Sequence, residues 1–235
     1  MITNTAMILA AGLGKRLRPI TENCPKPLIK VNQKALLGHA IDALINVGIK
    51  DIIVNTHYQP EQIKNYLASY YPKEKISITY EKELLDTGGG VKNAIKLFKE
   101  EFVLVINSDI FWNFENYPDL KKLLRSDTKN LKCNMLLSNL NSAYGILNRK
   151  GDFKFINNHL ERNNDEEKGF YFSGAQLINV SIFKSFSNNK FSFNEIWDFL
   201  IKDKLLKGIV MNSRFLHLGE FEGFKYLKDF ELENY

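Results

Sequence analysis

Four short segments of the 235-residue chain carry residue types suited to handling phosphate. The first is Ala10-Ala11-Gly12-Leu13-Gly14-Lys15-Arg16-Leu17-Arg18-Pro19, at the end of the strand-like run Thr5 to Ala11. A glycine-rich turn at a strand's carboxyl end lets backbone N–H groups approach a phosphate, because no side chain stands in the way. The dinucleotide fingerprint needs a third glycine where Leu17 stands, and the ATP-type loop needs four residues between glycines followed by Lys and Ser or Thr, so both are excluded. Three cations follow the glycines and suit a triphosphate; read alone, the loop serves equally well as a surface turn. The second segment, Cys24-Pro25-Lys26-Pro27-Leu28, brackets one Lys with two prolines. A stiffened backbone holds the ammonium in place at lower entropic cost, although in isolation this too reads as an exposed turn. The third, Asp86-Thr87-Gly88-Gly89-Gly90, precedes a helix expected over Val91 to Phe98. Small residues and free N–H groups at a helix start suit an anion, and a simple cap by Asp86 or Thr87 is the other reading. The fourth, Asn107-Ser108-Asp109, ends the most apolar strand, Phe102 to Asn107. Ligands in open α/β sheets bind at strand carboxyl ends, where an Asp presents a hard oxygen to Mg²⁺.

The elements that must hold these segments alternate in the first half. Strand runs at Thr5 to Ala11, Ile52 to Asn55, Ile76 to Tyr80 and Phe102 to Asn107 are separated by helices. Leu36, Leu37, Ala40, Ile41, Leu44 and Ile45 recur at helical spacing with Gly48 at the cap, and Pro60 opens a helix to about Tyr70. Such alternation implies crossover units and a mainly parallel sheet covered on both faces, a Rossmann-like α/β fold. In the second half, Cys133 to Ser138, Tyr144 to Leu147, Phe153 to Ile156, Phe170 to Ile178, Ile209 to Met211 and Phe215 to Leu218 read as strands. Ser192 to Lys204 and Phe224 to Glu233 read as helices, and the polar stretch Asn157 to Lys168 as a mobile loop. One domain spanning residues 1–235 is expected.

Composition excludes several classes. Hydrophobic residues make up 44% and charged residues 25%, a balance that supports a core and rules out disorder as the main state. No apolar run nears the roughly 18 residues that span a bilayer, and Ala6 to Ala11 reads as neither signal peptide nor anchor. The net charge of +5 comes from 26 Lys and only 6 Arg, scattered rather than clustered, which argues against a nucleic-acid partner. Cys24 and Cys133 read as reduced thiols of a cytoplasmic protein, and His39, His57, His159 and His217 are too dispersed for a zinc signature. Ser173 lacks the elbow motif of a hydrolase nucleophile.

Together and at this spacing, G-x-G-K-R-L and P-K-P strongly resemble the sugar-1-phosphate nucleotidyltransferase family, and the resemblance runs from Ala6 to about Tyr226. It implies a nucleotide-binding half over about residues 1–110 and a sugar-binding half over about 111–235. It implies that Ala11, Gly12, Leu13, Gly14, Lys15 and Arg16 hold the triphosphate, that Lys26 neutralises the α-phosphate, and that Gly88 and Gly89 border the base and sugar. By the same resemblance Asp109 binds the metal, and Asn107, Asp152, Ser173 and Gly174 flank the sugar. Lys26, Arg16 and Asp109 are the expected catalytic set. In the family an Asp near the C-terminus is the second metal ligand; here Phe215-Leu216-His217-Leu218-Gly219-Glu220 puts His217 there, with Glu220 and Glu222 as nearby carboxylates. Mg²⁺ is the expected cofactor, with Mn²⁺ or Co²⁺ as alternatives because imidazole suits softer ions. Among subfamilies the pattern is most similar to N-acetylmuramate α-1-phosphate uridylyltransferases of cell-wall recycling, which implies UTP and N-acetylmuramate 1-phosphate as substrates. Heptose- and mannose-1-phosphate guanylyltransferases share much of it. A catalytically silent sugar-nucleotide binder is the rival that His217 favours; a glycosyltransferase lacks its Asp-x-Asp motif here. A monomer or small homo-oligomer is expected.

Overall fold

A computed structural model of the chain describes residues 1–146, 150–157, 159–164 and 168–230. Thr5–Leu9 forms β1, and Lys30–Val31 (β2) pairs with Lys34–Ala35 (β3) ahead of helix α1, Leu36–Asn46. β4 (Asp51–Thr56), α2 (Pro60–Tyr70), β5 (Ile76–Tyr80), α3 (Asp86–Asn93), β6 (Phe102–Asn107) and α4 (Tyr117–Leu123) follow. The remainder comprises β7 (Cys133–Asn139), β8 (Ala143–Tyr144), β9 (Phe153–Ile156), β10 (His159–Arg162) and β11 (Phe170–Asn179). It ends with α5 (Phe193–Lys202), β12 (Leu206–Val210), β13 (Phe215–Leu216) and α6 (Phe221–Phe224).

Among the described residues nine strands share one sheet, with the path β10-β9-β11-β6-β1-β4-β5 and with β7 joining β11 to β12. β5, β4, β1 and β6 are mutually parallel; β11 opposes β6, β7 and β9, β12 follows β7, and β10 opposes β9. Only β10 and β11 therefore run against the other seven, and the mainly parallel α/β architecture expected from the alternation is observed. β1 is buried on both faces, as a central parallel strand must be. Ala6 and Ile8 pack with Leu37, Ile41 and Leu44 of α1 and Ile63 of α2, whereas Met7 packs in the opposite layer with Val91 of α3 and Ile196 and Leu200 of α5. Ile8 is wholly buried, so Ile8→Ala costs about 2–5 kcal/mol. No helix among the described residues is long and apolar enough to cross a membrane.

Several boundaries differ from expectation for physical reasons. The helix expected from Val91 to Phe98 begins at Asp86 and ends at Asn93, followed by a 3-10 turn over Ile95–Leu97. Three glycines cost a helix interior roughly 1 kcal/mol each, yet here they permit close packing. A Cβ at Gly88 would lie 2.5 Å from the Phe191 ring, one at Gly89 2.2 Å from Asn189 O, and one at Gly90 2.7 Å from Glu81 Oε1. The stretch read as a loop from Asn157 to Lys168 contains β10, antiparallel to β9; residue 158 and residues 165–167 lie outside the described residues. The strand expected over Tyr144 to Leu147 is Ala143–Tyr144, with Leu147 outside the described residues. Instead of one helix from Phe224 to Glu233, α6 is followed by a 3-10 turn at Leu227–Phe230, and residues 231–235 lie outside the description.

Candidate active site at the strand carboxyl ends

Adjacent parallel strands release their chemistry-bearing residues in one row. Asp109 follows β6, the glycine loop follows β1, Asn55 lies near the end of β4, and Glu81 follows β5 directly. A cleft of ≈ 350 Å³ lies over this row, lined by Ala11, Gly12, Lys26, Asn55, Glu81, Leu84, Asp86, Thr87, Asn107 and Asp109 among others. Gly14 adopts φ +63°, and a Cβ there would lie 2.9 Å from Thr21 Cγ2, so this glycine shapes the loop. Thr21 Oγ1 donates to Gly14 O at 2.8 Å and fixes the turn. At Gly12 an added Cβ would meet nothing within 4 Å, which leaves its backbone open to the cleft. Leu13, Gly14, Lys15 and Arg16 are not among the cleft-lining residues, and Arg16 instead pairs with Glu220 at 2.5 Å.

Lys26 opens a 3-10 turn, Lys26–Leu28, between its two prolines. Its Nζ donates to Asp109 Oδ2 at 2.6 Å, with the two side chains only 12% and 21% exposed. His217 is brought alongside by backbone pairing: Phe111 N donates to Leu216 O at 3.0 Å and Leu218 N to Asp109 O at 2.8 Å. Its Nε2 lies 3.5 Å from Asp109 Oδ2. Glycines crowd this residue, since a Cβ at either Gly145 or Gly223 would lie 2.1 Å from His217 O. Burial pushes the Asp109 carboxyl upward, but the Lys26 ammonium and the His217 imidazole outweigh it and hold the acid well below the usual range.

Asp109 Oδ1 is buried and has no hydrogen-bond partner. A buried carboxylate oxygen left unsatisfied is costly, so it suits a cation arriving with a ligand. Among the described residues no group of three His, Cys, Asp or Glu side chains could hold a metal by themselves. Mg²⁺ in phosphate sites is held by one or two carboxylates with substrate oxygens and waters completing the shell, so Asp109 fits such an ion, while His217 as a nitrogen donor suits Mn²⁺ or Co²⁺ better. Glu220 and Glu222 are engaged by Arg16 and Lys225 respectively.

A second cleft of ≈ 250 Å³ shares Asn107 with the first and is lined also by His217, Asp152, Arg162, Phe172, Asn194 and Trp197. Asp152 Oδ2 accepts from Phe172 N at 3.0 Å, which ties the turn to β11. Ser173 is fully buried and donates to Leu136 O, while Gly174, at φ +84°, lies where β11 shifts register. A Cβ at Gly174 would meet Ile110 Cγ1 at 2.8 Å and Asn107 Cβ at 3.2 Å, so Gly174 shapes the wall behind Asn107, whereas Ser173, expected at the sugar, lines neither cleft. Gly88 and Gly89 are buried within α3, and Gly89 N donates to Phe191 O.

Sequence reasoning missed several residues of these clefts. Arg162 lies over the rings of Phe153 and Trp197 at 4.9 and 5.5 Å, and donates to Asp198 Oδ1 and Asn194 Oδ1. It stands in the stretch read as a loop, so nothing marked it beyond being one of six arginines. Asn194 and Trp197 come from α5, whose apolar face gave no sign of a site. Asn55 and Glu81 did carry a signal: each is polar at or just beyond the end of a strand run whose neighbours end in the candidate site.

A family model described as nucleotidyl transferase matches residues 5–184. The D-glycero-alpha-D-manno-heptose 1-phosphate guanylyltransferase of Campylobacter jejuni is 32% identical over 91% of this chain and 94% of its own. The N-acetylmuramate alpha-1-phosphate uridylyltransferase of Caulobacter vibrioides is 29% identical over 92% of this chain and 91% of its own. Among solved structures, HddC from Yersinia pseudotuberculosis complexed with GMP-PN superposes with a TM-score of 0.76 at 25% identity, covering 97% of this chain and 99% of that one.

Proposed function

The chain belongs to the nucleotidyl transferase family as a sugar-1-phosphate nucleotidyltransferase, and on that premise we propose how its two clefts divide the reaction. The first takes a nucleoside triphosphate and the second a sugar 1-phosphate. An oxygen of the sugar phosphate forms a bond to the α-phosphorus in line, the α–β bridging bond breaks, and pyrophosphate leaves. No protein nucleophile is needed, and catalysis is positioning with charge neutralisation. The observation that carries this reading is that the clefts meet at Asn107, beside the Lys26–Asp109–His217 cluster.

Lys26 meets the α-phosphate, the open backbone at Gly12 admits the triphosphate, and Arg162 meets the sugar phosphate from its platform of aromatic rings. Asn107 and Asp152 orient the sugar. Asp109 and His217 would hold the divalent ion that members of the family generally use, Mg²⁺ or a softer ion, which would neutralise phosphate charge when bound. UTP with N-acetylmuramate 1-phosphate, and GTP with heptose or mannose 1-phosphate, are two forms of this one chemistry, and the named relatives include both.

A pyrophosphate-release screen over nucleoside triphosphates and sugar 1-phosphates tests the proposal. Release that needs both substrates is expected. Nucleotide binding without release from any pair points to a silent binder and overturns the transferase reading.

A further inference from the structure

We propose that β5 pairs antiparallel with the β5 of a second copy of this chain, about a two-fold axis that sets Ile78 opposite Ile78. β5 ends the strand path, with β4 on one side and no strand on the other among the described residues. Ile52 N donates to Lys75 O and Glu81 N to Thr56 O, so the odd-numbered residues turn their backbone groups to β4. Those of Ile76, Ile78 and Tyr80 therefore face outward. Ile76 N donates back to Glu74 O at 3.0 Å. Ile76 O, and the N–H and C=O of Ile78 and Tyr80, have no partner among the described residues.

An open edge is a template for another strand, and proteins usually blunt it with charged side chains, Pro or a bulge. The other two ends of the sheet are marked in this way or weakened by glycine. β10 carries Glu161 and Arg162, and β12 carries Lys207 and Gly208. β5 reads Ile-Ser-Ile-Thr-Tyr, with no charge, Pro or Gly, and leaves Ile78 39% and Tyr80 59% exposed. Branched and aromatic residues of this kind favour a paired strand.

The strand is complementary to itself. Outward-facing residues pair only with outward-facing residues, so the allowed registers differ by steps of two. Centring on Ile78 engages all three: Ile78 exchanges both bonds with its copy, and Tyr80 N donates to the second copy's Ile76 O. Ile76 and Tyr80 then pack across the junction on one face. On the other face the second copy's Ser77 stands opposite Thr79, whose Oγ1 is buried without a partner. Beyond the strand ends the same register sets Glu74 opposite Lys82 and Lys73 opposite Glu83, once on each side of the axis. All four are exposed, and none has an ion pair among the described residues. A shift of two residues puts Glu74 opposite Tyr80 or Leu84 and loses the match. The contact is isologous, so it closes at two copies and leaves neither β5 edge open.

Sedimentation velocity of the intact chain, from about 1 to 100 µM, tests this. A short ladder buries little surface, so a dimer that dissociates on dilution within that range is expected. Ile78→Pro removes only an N–H that faces outward, which an edge strand tolerates, and is expected to leave a monomer throughout. Lys82→Glu faces Glu74 of the second copy with a like charge and is expected to weaken the dimer by about tenfold. Adding Glu74→Lys to that variant restores opposite charges and is expected to recover the parent's dissociation constant. If Ile78→Pro does not fold, this charge pair carries the test. An unaltered chain that stays monomeric up to about 100 µM overturns the proposal. So does a dimer that folded Ile78→Pro leaves intact, which shows that another surface holds the copies. A loss in Lys82→Glu that Glu74→Lys fails to repair overturns the register and the proposal with it.

Discussion

Lys26 Nζ lies 2.6 Å from Asp109 Oδ2, so the cation and the carboxylate that the proposed reaction needs separately are paired with each other. A phosphate that draws Lys26 away uncovers Asp109, and a cation on Asp109 releases Lys26. Nucleotide and metal should therefore help each other bind, and by thermodynamic linkage the help is reciprocal.

Lys26→Ala tests the pair from one side. Turnover is expected to fall by at least one or two orders of magnitude, since a lost charge contact to the developing transition state costs a few kcal/mol. Metal binding measured without nucleotide is expected to strengthen, because the competitor for Asp109 is gone. Near-normal turnover in a variant with an unchanged melting temperature removes Lys26 from the mechanism.

The glycine loop separates two roles that the sequence cannot distinguish. Gly14 is held at φ +63° against Thr21, so Gly14→Val should lower the melting temperature as well as abolish the stabilisation by nucleotide. Gly12 has open space where its side chain would be. Gly12→Ala is expected to melt within a degree or two of the parent while losing most of the nucleotide-induced shift. Thermal melts with and without millimolar GTP and UTP decide it; an undiminished shift in Gly12→Ala removes that backbone from the site.

What was legible in the sequence were features carried by short spacing. The strand–helix alternation, the bracketed Lys26 and the strand-end Asp109 are local, and the fold and the shared cluster follow from them. What was hidden depended on distant segments meeting. The glycines of α3 read as lying ahead of the helix because their reason for being small, the approach of residues 189–191 and of Glu81, lies elsewhere in the chain. Arg162 became visible only once β10 joined the sheet and set its guanidinium over Phe153 and Trp197. His217 was marked by its departure from a pattern, but its distance from Asp109 depends on strand pairing.

His39 supplies a pH signature outside the site. Burial lowers its imidazole below the ordinary value and Lys34 adds to the lowering, while the bond to Val31 O at 2.8 Å pulls the other way. A carbonyl only accepts, so Nε2 carries the proton in that bond. The unfolded chain takes up a proton at about pH 6.5, before the folded chain does, so stability rises with pH across that range. Its contribution is complete above about pH 7, begins to decline as pH falls through the unfolded value, and is gone once pH has fallen through the lower folded one. His39→Gln keeps a donor without titrating, so its melting temperature should fall less steeply between about pH 7 and 5.5. Parallel slopes in the two proteins would rule His39 out as the source.

The final prediction concerns His217, whose Nε2 stands 3.5 Å from Asp109 Oδ2. A carboxylate here would give a divalent ion two charged oxygens, whereas a neutral imidazole gives it one charge fewer. Mg²⁺ gains most from charged oxygen ligands, so it should bind weakly, and Mn²⁺ or Co²⁺, which accept nitrogen more readily, should be penalised less. Stabilisation of the folded chain is therefore expected to be larger with Mn²⁺ or Co²⁺ than with Mg²⁺ at equal concentration, and activity should follow the same order. His217→Asp sets two carboxylates side by side, so the variant should melt lower than the parent when no divalent ion is added. Mg²⁺ should then recover more stability in the variant than in the parent, because it relieves that repulsion. Calorimetric titration of both proteins with each ion separates the outcomes without relying on turnover. If His217→Asp leaves metal affinity and preference unchanged, His217 does not bind the ion, and Asp109 must hold it with substrate oxygens and water alone.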